Sequence, residues 1–186
     1  MRFRSSREDL GVVSTTFVLG GARSGKSRFA LELQPSRTRV SFIATALAGD
    51  AEMAERIERH RAERPRHWRT VEEPCELVAC LREACADADA VIVDCLTVWV
   101  ANLMLRGDAD AHVLKQADEL AALLALRSAD VTLVSNEVGL GVHPATEDGR
   151  HFRDLLGTVN QRVAAAADRV VLMVAGQPLT VKDVRL

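Results

Sequence analysis

The chain has 186 residues, of which 48% are hydrophobic and 27% charged, and its formal net charge is −2. This length and composition predict one compact domain, and the near-neutral charge excludes a strong electrostatic attraction to nucleic acid or to an anionic membrane. No apolar run approaches the ~18 residues of a membrane-spanning helix. We therefore expect a soluble, cytoplasmic protein in which residues 1–14 form a flexible leader and residues 15–186 a single domain.

Strand-like and helical patterns alternate along the chain. Strands are predicted at residues 16–19, 39–44, 90–94, 131–135 and 169–174, with weaker patterns at 67–72 and at 179–182, where Gly176-Gln177-Pro178 precedes an edge hairpin. Helices are predicted at residues 26–33, 51–64, 76–86, 96–105, 111–126 and 152–167. Several strands are continuously apolar, as strands covered on both faces are. The pattern predicts an α/β fold with a mostly parallel β-sheet flanked by helices.

The first predicted strand leads into GGARSGKS, a complete phosphate-binding loop of the form G-x-x-x-x-G-K-S. In such a loop, the glycines let backbone N–H groups turn towards phosphate oxygens, the lysine reaches the β- and γ-phosphates, and the final hydroxyl is a ligand of Mg²⁺. The strand before the motif and the helix after it are the context that a P-loop NTPase requires. The predicted nucleotide-binding residues here are Gly20, Gly21, Ala22, Arg23, Ser24, Gly25, Lys26 and Ser27. Lys26 is also predicted to be catalytic, and Ser27 to bind the metal.

A second metal ligand is predicted at the end of the apolar run Val91-Ile92-Val93-Asp94. A carboxylate at the C-terminal end of a buried parallel strand faces the crevice in which ligands of open α/β sheets bind, next to the phosphates. We therefore predict that Asp94 binds Mg²⁺ and the nucleotide. The alternative is an aspartate that caps the helix beginning near Leu96.

The predicted helix at residues 51–64 has only a thin apolar stripe. On another face, Arg56 and Arg64 flank His60 at spacings of four residues. Neighbouring cations favour a neutral imidazole and attract phosphates, which suits a nucleophile. The alternative is a solvated, charged helix without a chemical role.

The four cysteines, Cys75, Cys80, Cys85 and Cys95, form no C-x-x-C pair and have no histidine at a ligand spacing. This spacing argues against zinc, and we expect small, partly buried apolar side chains.

Several segments together resemble one family, the bifunctional adenosylcobinamide kinase/adenosylcobinamide-phosphate guanylyltransferase of cobalamin biosynthesis. The matching segments are GGARSGKSRFA, FIATA, AEMAERIERHRAERPRHWRTVEEP, VDCLTVWVANL, VSNEVGLGVHP and GRHFRDLLGTVNQRVAAAADRVVLMVAGQP. The phosphate loop is generic, whereas RIERHRAERP, NEVG and NQR are specific to the family. The resemblance covers residues 17–182.

This resemblance implies two reactions. ATP or GTP phosphorylates the aminopropanol hydroxyl of adenosylcobinamide, and GMP from GTP then joins that phosphate through a guanylyl-histidine intermediate. The R-I-x-x-H spacing of the family assigns the catalytic histidine to His60. The resemblance also implies a homotrimer and further nucleotide contacts. Among these, Glu72 is a candidate acceptor for the N1–H and N2–H₂ edge of guanine, and the alternative is a surface carboxylate that starts the next helix. Those contacts are Ala44, Thr45, Ala46, Arg61, Ala62, Glu63, Arg64 and Glu72.

The sequence leaves the kinase step less defined, with Glu137 and Asp94 as candidates for orienting the substrate hydroxyl. His112, His143 and His151 lack a partner pattern, and we expect them at the surface or at caps. A regulatory GTPase would need N-K-x-D, but the nearest segment, N-E-V-G, lacks its lysine and aspartate. The remaining alternative is a kinase of another small alcohol with a single activity, in which His60 is idle.

Overall fold

The computed structural model describes residues 13–34, 39–47, 55, 58–59, 61–62 and 64–184. Most of the predicted leader lies outside these residues. Ser14, its last residue, is buried, and its backbone N–H donates to Asp130 Oδ1 at 2.8 Å, so this residue is part of the folded domain.

Within the described residues, seven strands form one sheet in the order β3-β2-β4-β5-β1-β6-β7. Every neighbouring pair is parallel except β6 and β7, which are antiparallel. This confirms the mostly parallel sheet and the edge hairpin. The strands are β1 (Thr15–Gly20), β2 (Val40–Ala44), β3 (Arg69–Glu72), β4 (Ala90–Asp94), β5 (Asp130–Val134), β6 (Arg169–Val174) and β7 (Gln177–Asp183).

The helices flank this sheet. Those with complete bounds are α1 (Lys26–Glu32), α2 (Leu77–Asp87), α3 (Leu96–Arg106), α4 (Asp110–Ala125) and α5 (Glu147–Ala166). Between β2 and β3, the described residues Glu55, Glu58, Arg59, Arg61 and Ala62 are also helical, whereas Arg64 is not. The predicted helix at residues 51–64 is therefore seen only at these positions.

The predicted start of the last helix, at residue 152, was wrong. Helix α5 begins at Glu147 because Thr146 caps it: its Oγ1 accepts a hydrogen bond from the N–H of Gly149 at 3.1 Å. Two acidic residues in the first turn, Glu147 and Asp148, interact favourably with the helix dipole. The apolar periodicity starts only at Phe152, which explains the error.

Both faces of the sheet are covered. On β4, Val91 and Val93 belong to the larger core, which packs against α2, α3, α4 and α5. Ala90 and Ile92 alternate with them and belong to a smaller core on the other face, together with Ala30 of α1. This alternation explains the continuous apolar runs, since each side chain of such a strand is buried on one face or the other.

Because β1 to β6 all run parallel, their C-terminal ends meet at one edge, which we call the carboxyl edge of the sheet. Ligands of open α/β sheets bind at this edge. None of the helices in the described parts of the chain has the length and hydropathy needed to cross a membrane.

Candidate nucleotide site

The phosphate loop connects β1 to α1, and its two outer glycines have different structural roles. Gly25 has φ 94°, a left-handed conformation that favours glycine. At Gly20, an added Cβ would lie 2.6 Å from the carbonyl oxygen of Met173 and 2.6 Å from Ser24 Oγ, so only glycine fits. The loop is therefore shaped by backbone conformation at one end and by close packing at the other.

Lys26 is the first residue of α1 and only 8% exposed. Its Nζ donates a hydrogen bond to the carbonyl oxygen of Gly21 at 2.7 Å, so the ammonium lies across the loop. Ser24 Oγ is also buried, and it has no hydrogen-bond partner among the described residues. These polar groups lie where a bound phosphate chain needs donors.

Two other segments of the carboxyl edge support the loop. In the β6–β7 turn, the N–H of Gly176 donates to the carbonyl oxygen of Ser24 at 3.1 Å. After β5, the N–H of Glu137 donates to the carbonyl oxygen of Gly20 at 3.1 Å. The loop is held between these two contacts.

Asp94 is half-buried at the end of β4, level with Ala44 of β2 and Val134 of β5. Its carboxylate forms no side-chain hydrogen bond or ion pair with another residue in the described part of the chain, and the same is true of Ser27 Oγ. A carboxylate and a hydroxyl are the hard oxygen ligands that Mg²⁺ prefers. The two predicted metal ligands therefore fit that ion chemically.

Thr45 fixes the backbone around Asp94. This fully buried threonine donates through its hydroxyl to the carbonyl oxygen of Cys95 at 2.8 Å and accepts from the N–H of Cys95 at 2.9 Å. Its own N–H donates to the carbonyl oxygen of Asp94 at 3.2 Å. Thr45 was predicted to contact the nucleotide together with its sequence neighbours Ala44 and Ala46. In the structure, the Thr45 hydroxyl is bonded to the backbone of Cys95.

The sequence analysis missed Asn102 of α3. Its Nδ2 donates to the carbonyl oxygens of Thr45 at 2.8 Å and Pro74 at 3.0 Å, so one amide group links the segments that follow β2 and β3. The signal was a single amide side chain in the otherwise apolar segment WVANL.

Asn160 of α5 is the first residue of the NQR motif, to which the sequence analysis assigned no role. It is 6% exposed, and its Nδ2 donates to the carbonyl oxygen of Asn136 at 3.0 Å. The N–H of Asn136 donates to Thr97 Oγ1 at 2.7 Å. Two buried side chains therefore hold the start of the segment that carries Glu137, whose Oε1 accepts from the N–H of Gly139 at 2.6 Å.

The described part of the predicted histidine segment lies near the end of β3. Arg61 pairs with Glu72 at 3.1 Å and with Glu58 at 3.2 Å, and Ala62 is exposed. The guanidinium of Arg64 lies 3.6 Å from the centroid of the Phe42 ring, which is a cation–π geometry. The other two predicted residues, His60 and Glu63, lie outside the described residues.

The sheet order sets the distances across this edge. Glu72 ends β3, and three strands separate β3 from β1 and its phosphate loop. Four strand-to-strand steps of about 4.8 Å place these ends about 19 Å apart. Asp94 of β4 lies between them, so the predicted site residues follow a line along the carboxyl edge.

The cysteines and the other three histidines of the sequence analysis pack against the cores or lie at the surface. Burial and the neighbouring Asp94 carboxylate raise the pKa of the Cys95 thiol to about 11, so it stays protonated near neutral pH. All four cysteines are free and pack against the cores, as expected.

His112, His143 and His151 are exposed, as expected. His143 Nδ1 accepts from Arg153 at 2.8 Å, and His151 Nε2 lies 2.8 Å from Asp110.

A phosphate loop after the first strand of a mostly parallel sheet, with a carboxylate at the end of another strand, defines the class of P-loop NTPase folds. A solved ATPase from the type III secretion system of pathogenic bacteria shares this fold, with a TM-score of 0.51 and 12% identity over 88% of this chain and 51% of its own. The model of the family described as cobinamide kinase / cobinamide phosphate guanyltransferase matches residues 16–181, and the chain belongs to this family.

Two curated relatives are named as bifunctional proteins of adenosylcobalamin biosynthesis. The bifunctional adenosylcobalamin biosynthesis protein CobP of Pseudomonas aeruginosa is 46% identical over 166 residues, which cover 89% of this chain and 95% of the relative. The bifunctional adenosylcobalamin biosynthesis protein CobU of Salmonella typhimurium is 44% identical over 177 residues, which cover 89% of this chain and 98% of the relative. The resemblance seen in the sequence motifs is thereby confirmed.

Proposed function

We propose that this transferase phosphorylates adenosylcobinamide with ATP or GTP and then transfers GMP from GTP to the product, giving adenosylcobinamide-GDP. The observation that carries the proposal is the family match over residues 16–181, because that span includes the phosphate loop, Asp94 and His60. Both reactions consume nucleoside triphosphates, and we therefore place them in the cytoplasm.

In the kinase reaction, the phosphate loop holds the triphosphate and Lys26 neutralises its β- and γ-phosphates. The substrate hydroxyl oxygen forms a bond to the γ-phosphorus, the bond from that phosphorus to the bridging oxygen breaks, and the hydroxyl proton passes to solvent. Ser27 and Asp94 would hold Mg²⁺, which would neutralise charge on the phosphate oxygens when bound. The support for this assignment is the oxygen chemistry of these two side chains and their lack of protein partners in the described part of the chain.

In the guanylyltransferase reaction, His60 is the nucleophile. Its imidazole nitrogen bonds to the α-phosphorus of GTP, the bond between that phosphorus and the leaving oxygen breaks, and pyrophosphate departs. A phosphate oxygen of adenosylcobinamide-phosphate then bonds to the same phosphorus, the nitrogen–phosphorus bond breaks, and the neutral imidazole is restored, with the proton on its other nitrogen retained throughout. Arg61, whose guanidinium pairs with Glu58 and Glu72, lies next to this histidine in sequence and is proposed to attract the phosphates.

Glu72 is proposed to accept hydrogen bonds from the N1–H and N2–H₂ edge of guanine. The estimated 19 Å between the ends of β3 and β1 is comparable to the length of an extended nucleoside triphosphate. A GTP molecule lying along the carboxyl edge then has its triphosphate in the loop and its base beside Glu72. The proposed contacts Ala44, Thr45 and Ala46 are at the end of β2, which lies between β3 and β1 in the sheet. Ala62, Glu63 and Arg64 are proposed as further nucleotide contacts.

We also propose that the protein forms the homotrimer that the family resemblance implies. The edge strand β7 exposes Leu179 and Val181 by 58% and 63%, and such apolar side chains on an open strand suit burial against another copy.

The decisive experiment uses the variant His60→Ala with GTP labelled at the α-phosphate. We expect covalent labelling to be lost, whereas phosphorylation of adenosylcobinamide is largely retained, because the γ-phosphoryl group passes directly to the hydroxyl. The adduct of the unsubstituted protein is a phosphoramidate, so it survives alkali and is released by mild acid. The control is His112→Ala, an exposed histidine outside the matched motifs, which keeps the label. A label that persists in His60→Ala would show that another residue is the nucleophile.

A further inference from the structure

The segment between β5 and α5, residues 135–146, leaves the carboxyl edge directly beside the phosphate loop. The N–H of Ser135 donates to the carbonyl oxygen of Val18 at 3.0 Å, and the N–H of Glu137 donates to the carbonyl oxygen of Gly20 at 3.1 Å. Backbone hydrogen bonds therefore set the position of this segment relative to the first residue of the loop. We call residues 139–142 its tip.

The other end of the segment is tied to α5. The guanidinium of Arg150 donates to the carbonyl oxygens of Pro144 at 3.2 Å and Ala145 at 3.0 Å. Arg153 Nη1 donates to His143 Nδ1 at 2.8 Å. Because both ends are held by hydrogen bonds, the tip has a defined place at the carboxyl edge.

The tip carries apolar side chains that the protein does not cover. Leu140 is 81% exposed and Val142 is 95% exposed, and the neighbouring Gly139 and Gly141 are exposed too. Leu47 after β2 and Val174 at the end of β6 are also exposed, by 57% and 55%, at the same edge. A single exposed leucine is ordinary, but exposed apolar side chains at the edge that carries the phosphate loop indicate a ligand with an apolar surface.

We propose that Leu140 and Val142 contact the corrin macrocycle of the acceptor substrate while the phosphate loop holds the nucleotide, an inference that rests on the proposed function. The acceptor must bring its aminopropanol hydroxyl to the γ-phosphate, so its much larger ring must lie within reach of that arm. Leu140 is three residues from Glu137, at most about 10 Å along the chain. The methyl groups on the rim of a corrin offer an apolar surface against which these two exposed side chains can pack.

The test compares two double variants of the full chain. Leu140→Ser with Val142→Ser removes the apolar tip. The matched control is Leu126→Ser with Val184→Ser, which removes side chains that are 69% and 59% exposed. The control residues lie at the opposite edge, since Leu126 precedes β5 and Val184 follows the antiparallel strand β7.

For the tip variant, we expect the KM for adenosylcobinamide and its Kd in equilibrium dialysis to rise by at least about tenfold, the effect of losing burial of one to two aliphatic side chains. Its kcat and its labelling by α-labelled GTP without corrinoid should stay within about twofold of the starting protein. The control variant should match the starting protein in every measurement. All variants should have unchanged thermal unfolding, because the substituted side chains are exposed.

Three results would overturn the inference. An unchanged KM and Kd would mean that the ring binds elsewhere. A loss of both labelling and corrinoid binding would mean that the tip contributes to nucleotide binding or to the stability of the fold. A change in oligomeric state by light scattering would assign it to a second copy. Failure of the proposed function differs from all of these, since the unsubstituted protein would then neither phosphorylate adenosylcobinamide nor become labelled.

Discussion

Lys26 serves both proposed reactions, because each needs a triphosphate held in the same loop. We expect Lys26→Ala to lower kcat/KM for phosphorylation and for guanylylation by at least about 100-fold, which is the usual effect of removing a donor that stabilises transition-state charge. The control is Lys115→Ala, an exposed lysine 3.7 Å from Glu119 on α4. Guanylylation at the starting rate in Lys26→Ala would contradict a shared site.

Glu72 offers a test of base recognition at single-atom resolution. Glu72→Gln keeps the shape but replaces an acceptor by an amide donor, so we expect GTP to weaken relative to ATP by about 1 to 3 kcal/mol in competition measurements. Arg61 pairs with both Glu72 and Glu58, so Glu58→Gln is the matched control for the loss of an Arg61 ion pair. Equal effects of the two substitutions would remove Glu72 from the guanine site.

At the scale of single elements, the cap of α5 is a local device with a measurable contribution. We expect Thr146→Ala to lower the free energy of unfolding by about 1 kcal/mol, because Gly149 then loses its acceptor. Thr158→Ala is the control in the same helix, since its hydroxyl donates only to the carbonyl oxygen of Asp154 inside the helix. Urea unfolding measures both variants, and equal midpoints would contradict a capping role.

The sequence predicted most elements well, for a physical reason. The strands of the sheet centre are covered on both faces, and their continuous apolar runs end where burial ends; β4, for example, was predicted at its observed bounds, Ala90–Asp94. The start of α5 was predicted at residue 152 instead of Glu147, because a cap depends on one hydrogen bond rather than on apolar periodicity. The phosphate loop was also predictable, since its chemistry depends on contiguous residues.

The parts of the site that the sequence did not predict depend on contacts between distant segments. The hydroxyl of Thr45 bonds to Cys95, 50 positions away. Asn102 and Asn160 bond to carbonyl groups of loops that follow other strands, and nothing adjacent to them in sequence indicates these partners. Such contacts follow from the order of the strands, which the alternating pattern leaves open.

At the scale of the whole molecule, one buried carboxylate joins three segments opposite the carboxyl edge. Asp168 is 4% exposed; its Oδ2 accepts from the N–H of Thr15 at 2.9 Å and its Oδ1 from Arg127 at 2.5 Å. We expect Asp168→Ala to lower the free energy of unfolding by about 2 to 3 kcal/mol, because a buried N–H loses a charged acceptor. Asp154→Ala, at an exposed pair with Arg153, should cost less than about 1 kcal/mol. Urea unfolding with an unchanged m-value measures both, and equal losses would contradict this role of Asp168.

The central place of β1 has a consequence for the order in which the protein is made. Its neighbours in the sheet are β5 and β6, and hydrogen bonds from this part of the chain span 116 positions to Asp130 and 153 positions to Asp168. The strand that carries the phosphate loop is synthesised before both of its partners, which follow much later in the chain. Until then, β2, β3 and β4 can pair with one another while β1 stays exposed as an apolar segment without partners. The strand that leads into the phosphate loop therefore gains both of its neighbours only after β6 has been made.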